Sequence, residues 1–371
     1  MINRRLIRIK VFKVLYSSVI NRTETIKSSE KELIMSFEKT RELYFFMLNL
    51  LVALTKVADD KIEAGLKKFH PTPEEKNPNR KFVDNLVVKR IVEDGFSLSF
   101  CEKKGLIWST DDLKMFTKKL YNNISKKDYF IQYMNSGIHS LEEDCNLCIR
   151  IFEEEFDQNE ELASTLEDMS LYWIDDLVYD INVVIRNIAH LRKKNELRNP
   201  SLFLKDDDRE YAIDLLDYAL SKYDDILKIV SDKVIHWDED RLVTTDITII
   251  ILGVAEAMRF PNIPIKVTIN EYVEISKYYS TPKSKVFVNG LLDKIIGEMV
   301  SDSRIVKAGR GLIDSSIKAE EKKNNSQDLQ TEEPVTKKKR VKRTVKIGAE
   351  RAAEKAAESD SSKNLKENNQ E

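Results

Sequence analysis

Five cations crowd the first helix-length stretch of the chain, Arg4, Arg5, Arg8, Lys10 and Lys13, and no acidic residue precedes Glu24. Arg8 lies one helical turn from Arg4 and three residues from Arg5, spacings that bring side chains together on a helix surface. Clustered guanidinium groups bind phosphate through forked, charge-assisted hydrogen bonds. Tyr16 follows on the same stretch, and an aromatic ring beside cations suits single-stranded nucleic acid, with the base stacked and the backbone neutralised. The bland alternative is a solvated charged face. Against it stands an electrostatic conflict: cations near a helix N-terminus are mildly disfavoured by the macrodipole, and an anionic partner would resolve that.

No other chemistry has a constellation of residues behind it. His70, His139, His190 and His236 lack metalloprotease spacing, and the chain contains no Walker A, GxGxxG or GxSxG motif. Cys145 and Cys148 have the spacing of half a zinc or redox site. A second pair is absent and His139 is the only nearby histidine, so the structural reading is preferred. Carboxylate pairs such as Asp175 and Asp176 read as a solvated helix face. No enzymatic activity, catalytic residue, metal or cofactor is expected. A second basic site stands near the C-terminus, where seven of the ten residues 337–346 are Lys or Arg.

These side chains need elements to hold them. With 371 residues, 42% hydrophobic and 33% charged, the chain can build one large or two ordinary cores. Ten Gly and eight Pro are few for this length, which disfavours sandwiches, barrels and Gly-rich α/β folds and points to an all-α fold. A net charge of −2 confines any nucleic-acid contact to local patches. The longest apolar stretches, 44–54 and 247–258, fall short of the ~20 residues that cross a bilayer and read as buried helices. Three cysteines make no even disulfide framework and the N-terminus is charged, so a cytoplasmic protein without membrane contact is expected.

Periodicity places the helices. Ile7, Val11, Val14 and Ser18 share one face of a helix over 3–20, and a second helical pattern covers 28–69 before the proline-rich "HPTPEEKNPNR". Two helices broken near Lys222 are expected over 208–235. A nearly all-apolar one over Asp246 to Met258 belongs in the core. "TINE" (268–271) has capping-box spacing and should open a helix that runs to Tyr279. Thr281 then caps a last helix with Pro282 at its first position. Asn289-Gly290 would signal a hairpin, but Phe287, Leu291 and Ile295 recur every four residues through it, as do Val288, Leu292 and Ile296. A helix therefore continues there, with Gly290 permitting close approach of a neighbour. After residue 314 the apolar pattern collapses into a polar, charged tail expected to be disordered.

Two stretches resemble one family. "RRLIRIKVFKVLYS" (4–17) is similar to the Arg-rich first helix of the NusB transcription antitermination proteins, which ends in a Leu-Tyr pair. The run from "HWDEDRL" (236–242) through "EAMRFPNIPIKVTINEYVEISKYY" to "FVNGLLDKI" (287–295) resembles their C-terminal half, with matching spacing between the pieces. The resemblance implies a fold of two packed helical subdomains at 1–60 and 206–313, a helical insertion at 61–205 and an added tail at 314–371.

It also implies function. Family members bind boxA-type single-stranded RNA with the small ribosomal-subunit protein that doubles as NusE. They join the RNA polymerase antitermination complex and support ribosomal RNA synthesis. Carried over by position, Arg4, Arg5, Arg8, Tyr16, Lys283 and Phe287 would contact RNA, and Asp246 would face the protein partner. Leu6 and Ile251 depart from arginines found in relatives, and Lys283 stands where some have an acidic residue. The competing reading is a non-enzymatic helical scaffold that docks on ribosome or polymerase without reading RNA sequence. A third, the RNA-binding module of a methyltransferase, is disfavoured because no Gly-rich cofactor-binding half follows.

Overall fold

Asn3 ends an extended segment and its side chain accepts from the N–H of Leu6, which starts the first helix. From there the computed structural model is helical, describing residues 1–21, 25–234 and 243–312. Residues 1–314 make one compact unit, and the expected tail with its 337–346 cluster lies outside the described residues, as does the 236–242 connection.

The N-terminal part comprises α1 (Arg4–Ile20), α2 (Ile26–Leu66), α3 (Pro73–Lys76), α4 (Leu86–Asp94) and α5 (Phe96–Lys103). It continues with α6 (Asp111–Ile124), α7 (Asp128–Asn135), α8 (Leu141–Ile151), α9 (Glu160–Met169) and α10 (Leu177–Lys194). The C-terminal part holds α11 (Asp208–Ser221), α12 (Tyr223–Val234), α13 (Thr244–Arg259), α14 (Ile265–Tyr279) and α15 (Ser284–Ser301). Among the described residues the only β-type pairing is one bridge between Ile2 and Phe203. There the Ile2 N–H donates to the Leu202 carbonyl at 2.8 Å and pins the start of the chain beside the approach to α11.

Two bundles result, each around a helix that is apolar for a reason visible in its sequence. In the first, α4, α5, α6 and α10 pack on α2, which at 41 residues is about 60 Å long. Its middle, Leu43 to Leu51, is buried throughout, with Trp108 stacked on Phe46 at 4.1 Å. The proposed boundary at residue 60 falls inside this continuous helix. In the second bundle α11, α12, α14 and α15 surround α13, whose residues Thr248 to Ala257 are all buried. The first helix lies against both, contacting α2 on one side and α11 and α13 on the other.

Local details differ from the sequence expectations. The "TINE" helix starts a turn early, at Ile265, and Thr268 is inside it with its hydroxyl committed to Glu256. The capping box that does form is Thr72-x-x-Glu75, in the proline-rich stretch expected to be loop. The last helix begins at Ser284, not at Pro282. It does run through Asn289-Gly290, but Gly290 faces open space, so close packing is not its reason. Gly253 is the glycine that permits contact: a Cβ there would stand 2.8 Å from Leu292 and 3.2 Å from Tyr272.

Candidate nucleic-acid interface

Each cation of α1 ends on a carboxylate of the same chain. Arg4 reaches Asp207 at 2.7 Å and Asp208 at 3.0 Å, at the start of α11, where acidic groups also suit that helix's dipole. Arg5 makes a forked pair with Glu271 of α14, both contacts at 2.9 Å. Lys10 pairs with Asp176 at 2.7 Å, and Lys13 pairs with Asp175. The anion that the basic helix calls for is thus supplied internally, across sequence separations of 162 to 266 residues.

Arg8 is the extreme case, and here the sequence reading is corrected. Its side chain is 4% exposed, and Glu256, 0% exposed, accepts from its Nε at 2.6 Å and from its Nη2 at 3.1 Å. The same carboxylate accepts from Tyr211 Oη at 2.5 Å, Thr268 Oγ1 at 2.7 Å and Tyr272 Oη at 3.2 Å. Side chains from α1, α11 and α14 therefore converge on one acid of α13. Burial alone would raise the Glu256 pKa, but the adjacent Arg8 charge and these hydrogen bonds hold it below the ordinary carboxylate value. Burial likewise opposes the Arg8 charge, and Glu256 more than restores it. Arg8 locks helices together in this conformation and has no free donor face for phosphate.

Two further candidates are interior. Phe287 is 8% exposed and belongs to the core with Val288 and Leu291. Asp246 is 2% exposed, and its Oδ2 accepts from Ser284 Oγ at 2.7 Å, joining α13 to the start of α15. Its Oδ1 is buried without a partner. Asp175 and Asp176, read as a solvated face, serve Lys13 and Lys10, and Asp176 is itself buried with Thr40 donating to it at 2.6 Å.

What remains accessible forms a seam between α1 and α14 that continues onto α15. Arg5 stands at one end, 55% exposed despite its pair. Further along, Phe12 packs on Tyr279 with ring centroids 5.4 Å apart and on Tyr16 at 6.2 Å, both tyrosines half-buried, and Lys13 lies 5.5 Å from the Tyr279 ring centre. Beyond Tyr279 the side chains of the exposed Lys283 and Lys285 have no ion-pair or hydrogen-bonding partner among the described residues. Sequence reasoning placed Lys283 and Lys285 beside the start of the last helix but missed Tyr279 as part of this surface and Glu256 as the partner of Arg8. A signal for the last existed: an acid inside "IIILGVAEAM" must be buried and so requires a cation.

The cysteines are free and buried, and the described residues hold no His, Cys, Asp and Glu group suited to a metal ion. Among the described residues no helix is long and apolar enough to cross a membrane.

Comparison with known proteins bears on this surface. The NusB family model matches residues 176–297, a segment that contains Asp176, Asp207, Asp208, Glu256, Glu271 and Lys283 but not α1. The transcription antitermination protein NusB of Koribacter versatilis is 35% identical over 101 residues, 27% of this chain and 69% of the relative. The chain belongs to the NusB family. The NusB of Salinibacter ruber is 33% identical over 105 residues, 28% of this chain and 66% of its own length. That of Chloroherpeton thalassium is 33% identical over 112 residues, 30% and 53%. The chain thus spans between half and about two thirds of these NusB relatives, and most of its own length lies outside the matched segment. No solved structure matches it.

Proposed function

We propose that this chain is a non-enzymatic transcription antitermination factor. It binds boxA-type single-stranded RNA together with the small ribosomal-subunit protein that doubles as NusE, and supports ribosomal RNA transcription by RNA polymerase. The observation that carries the reading is the seam: exposed Arg5, half-buried Tyr16 and Tyr279, and two lysines, Lys283 and Lys285, whose side chains have no partner among the described residues, on a family scaffold. Cations beside aromatic rings match the chemistry of an unpaired strand. Arg4, 29% exposed in its side chain, is a secondary contact, and Asp246 acts on the partner side only through the α15 start that it holds.

A salt series tests the seam. Joint replacement of Arg5, Lys283 and Lys285 by Ala should lower the salt slope of RNA binding by up to about 2, three phosphates' worth at about 0.7 each on a single strand. An unchanged slope would remove the seam from the account.

One observation favours a second reading. Because each α1 cation already has a carboxylate partner, the helix presents less free positive charge than its sequence implies, as a helical scaffold that docks on ribosome or polymerase without reading RNA sequence would. That scaffold would bind boxA and scrambled RNA equally, and its protein partners would survive nuclease treatment.

A further inference from the structure

Tyr278 stands near the end of α14 with its ring open to solvent. It is 80% exposed, whereas Phe287 is buried and Tyr16 and Tyr279 are pinned against Phe12. A single exposed tyrosine is ordinary on a protein surface. Its setting is not. Glu271, Glu274 and Tyr278 follow at helical spacing along one side of α14, and Glu271 is the residue that receives Arg5. Tyr278 therefore stands two turns, roughly 10 Å, along the helix from that pair. Its neighbour Lys277 is exposed and paired with Glu274, and Lys283 and Lys285, whose side chains have no ion-pair partner among the described residues, follow across the Ser280–Pro282 turn. An open aromatic face with cations before and after it along the surface suits a nucleotide held by its base and its flanking phosphates.

We propose that Tyr278 supplies the stacking face for an unpaired RNA base at this corner, with phosphates on either side drawn to Arg5 and to Lys283 and Lys285. The inference rests on the RNA-binding reading above and names the residue that would carry its uncharged part. A base–aromatic stack is worth about 1–3 kcal/mol and is tolerant of base identity, which converts to roughly a 5- to 150-fold change in affinity.

The test is a fluorescence anisotropy titration of the full chain with a short labelled boxA-type RNA, comparing the parent with Tyr278→Ala and Tyr278→Phe across a salt series. The expected result is a loss of about 5- to 150-fold for Y278A, parent-like affinity for Y278F, and the same salt slope in all three because no charge changes. Thermal unfolding of both variants should match the parent, since the ring is outside the core. Parent-like affinity in Y278A, or a loss in Y278F equal to that in Y278A, overturns the stacking role while leaving the RNA-binding reading intact. Failure of the parent itself to bind RNA overturns both. Weakened binding of the ribosomal-protein partner with RNA affinity unchanged would place Tyr278 in a protein interface and overturn the proposal.

Discussion

Replacing Glu256 by Gln keeps the shape of the buried cluster but strands the Arg8 charge among Tyr211, Thr268 and Tyr272. Removing one partner of a buried pair typically costs about 3–5 kcal/mol, so Glu256→Gln should lower denaturant stability by that order at neutral pH. Its pH dependence has a definite sign. Glu256 is held below its unfolded value when folded, so its contribution is present above the ordinary glutamate range near ~4.3 and fades as pH falls through the folded value. The parent should therefore lose stability on acidification more steeply than the Gln variant, as urea midpoints taken from pH 6 to pH 3 would reveal. Asp180 behaves oppositely. Both its oxygens are buried without partners, and burial, with Asp176 nearby, raises its pKa well above the ordinary value. The folded state then holds a proton that the unfolded state releases, so stability falls as pH climbs from the unfolded value toward the folded one. Asp180→Asn should flatten that slope and leave stability at pH 8 equal to or above the parent. A steeper slope in the variant would show that the carboxylate is charged and paired.

Among the elements, α13 and α15 meet at Gly253. Gly253→Ala would press a methyl against Leu292 and Tyr272 and should destabilise by about 1–3 kcal/mol, the usual range for overpacking. Gly290→Ala, open to solvent in mid-helix, should stabilise by about 0.5–1 kcal/mol. Paired thermal melts decide between this assignment and the sequence expectation, which placed the close contact at Gly290. Helices as such were legible, because spacings such as Ile7–Val11–Val14–Ser18 and Phe287–Leu291–Ile295 report a buried face without knowledge of what covers it. What covers them was not. Arg8 meets Glu256 and Arg5 meets Glu271 across 248 and 266 residues, and no local pattern encodes a pairing that only the assembled bundle creates. Thr268 misled for the same reason: its spacing to Glu271 suits a cap, but a buried acid nearby was the stronger claimant for its hydroxyl.

For the whole molecule, the question is what the long N-terminal bundle does for the family segment. The stretch set apart as an insertion, 61–205, includes Asp175, Asp176 and all of α10, and the family match begins at 176. Removing 61–205 would leave Lys10 buried without its carboxylate and would uncover the face of α2 on which α10 packs. Such a chain should lose cooperative thermal unfolding by circular dichroism, while one ending at residue 314 should keep it because residues 1–314 form one compact unit. The candidate site was legible as a composition, Arg-rich helix plus aromatic, but its division into buried Arg8 and exposed Arg5 and Lys283 was not.

The most direct measurement of RNA reading is the affinity of the full chain for boxA-type RNA against a scrambled RNA of equal length and composition, at fixed salt, with and without the ribosomal-protein partner. Tighter binding of the boxA-type strand is expected, by a margin that widens when the partner is present. Equal affinity for both strands, with or without the partner, would contradict it and leave the scaffold reading in its place.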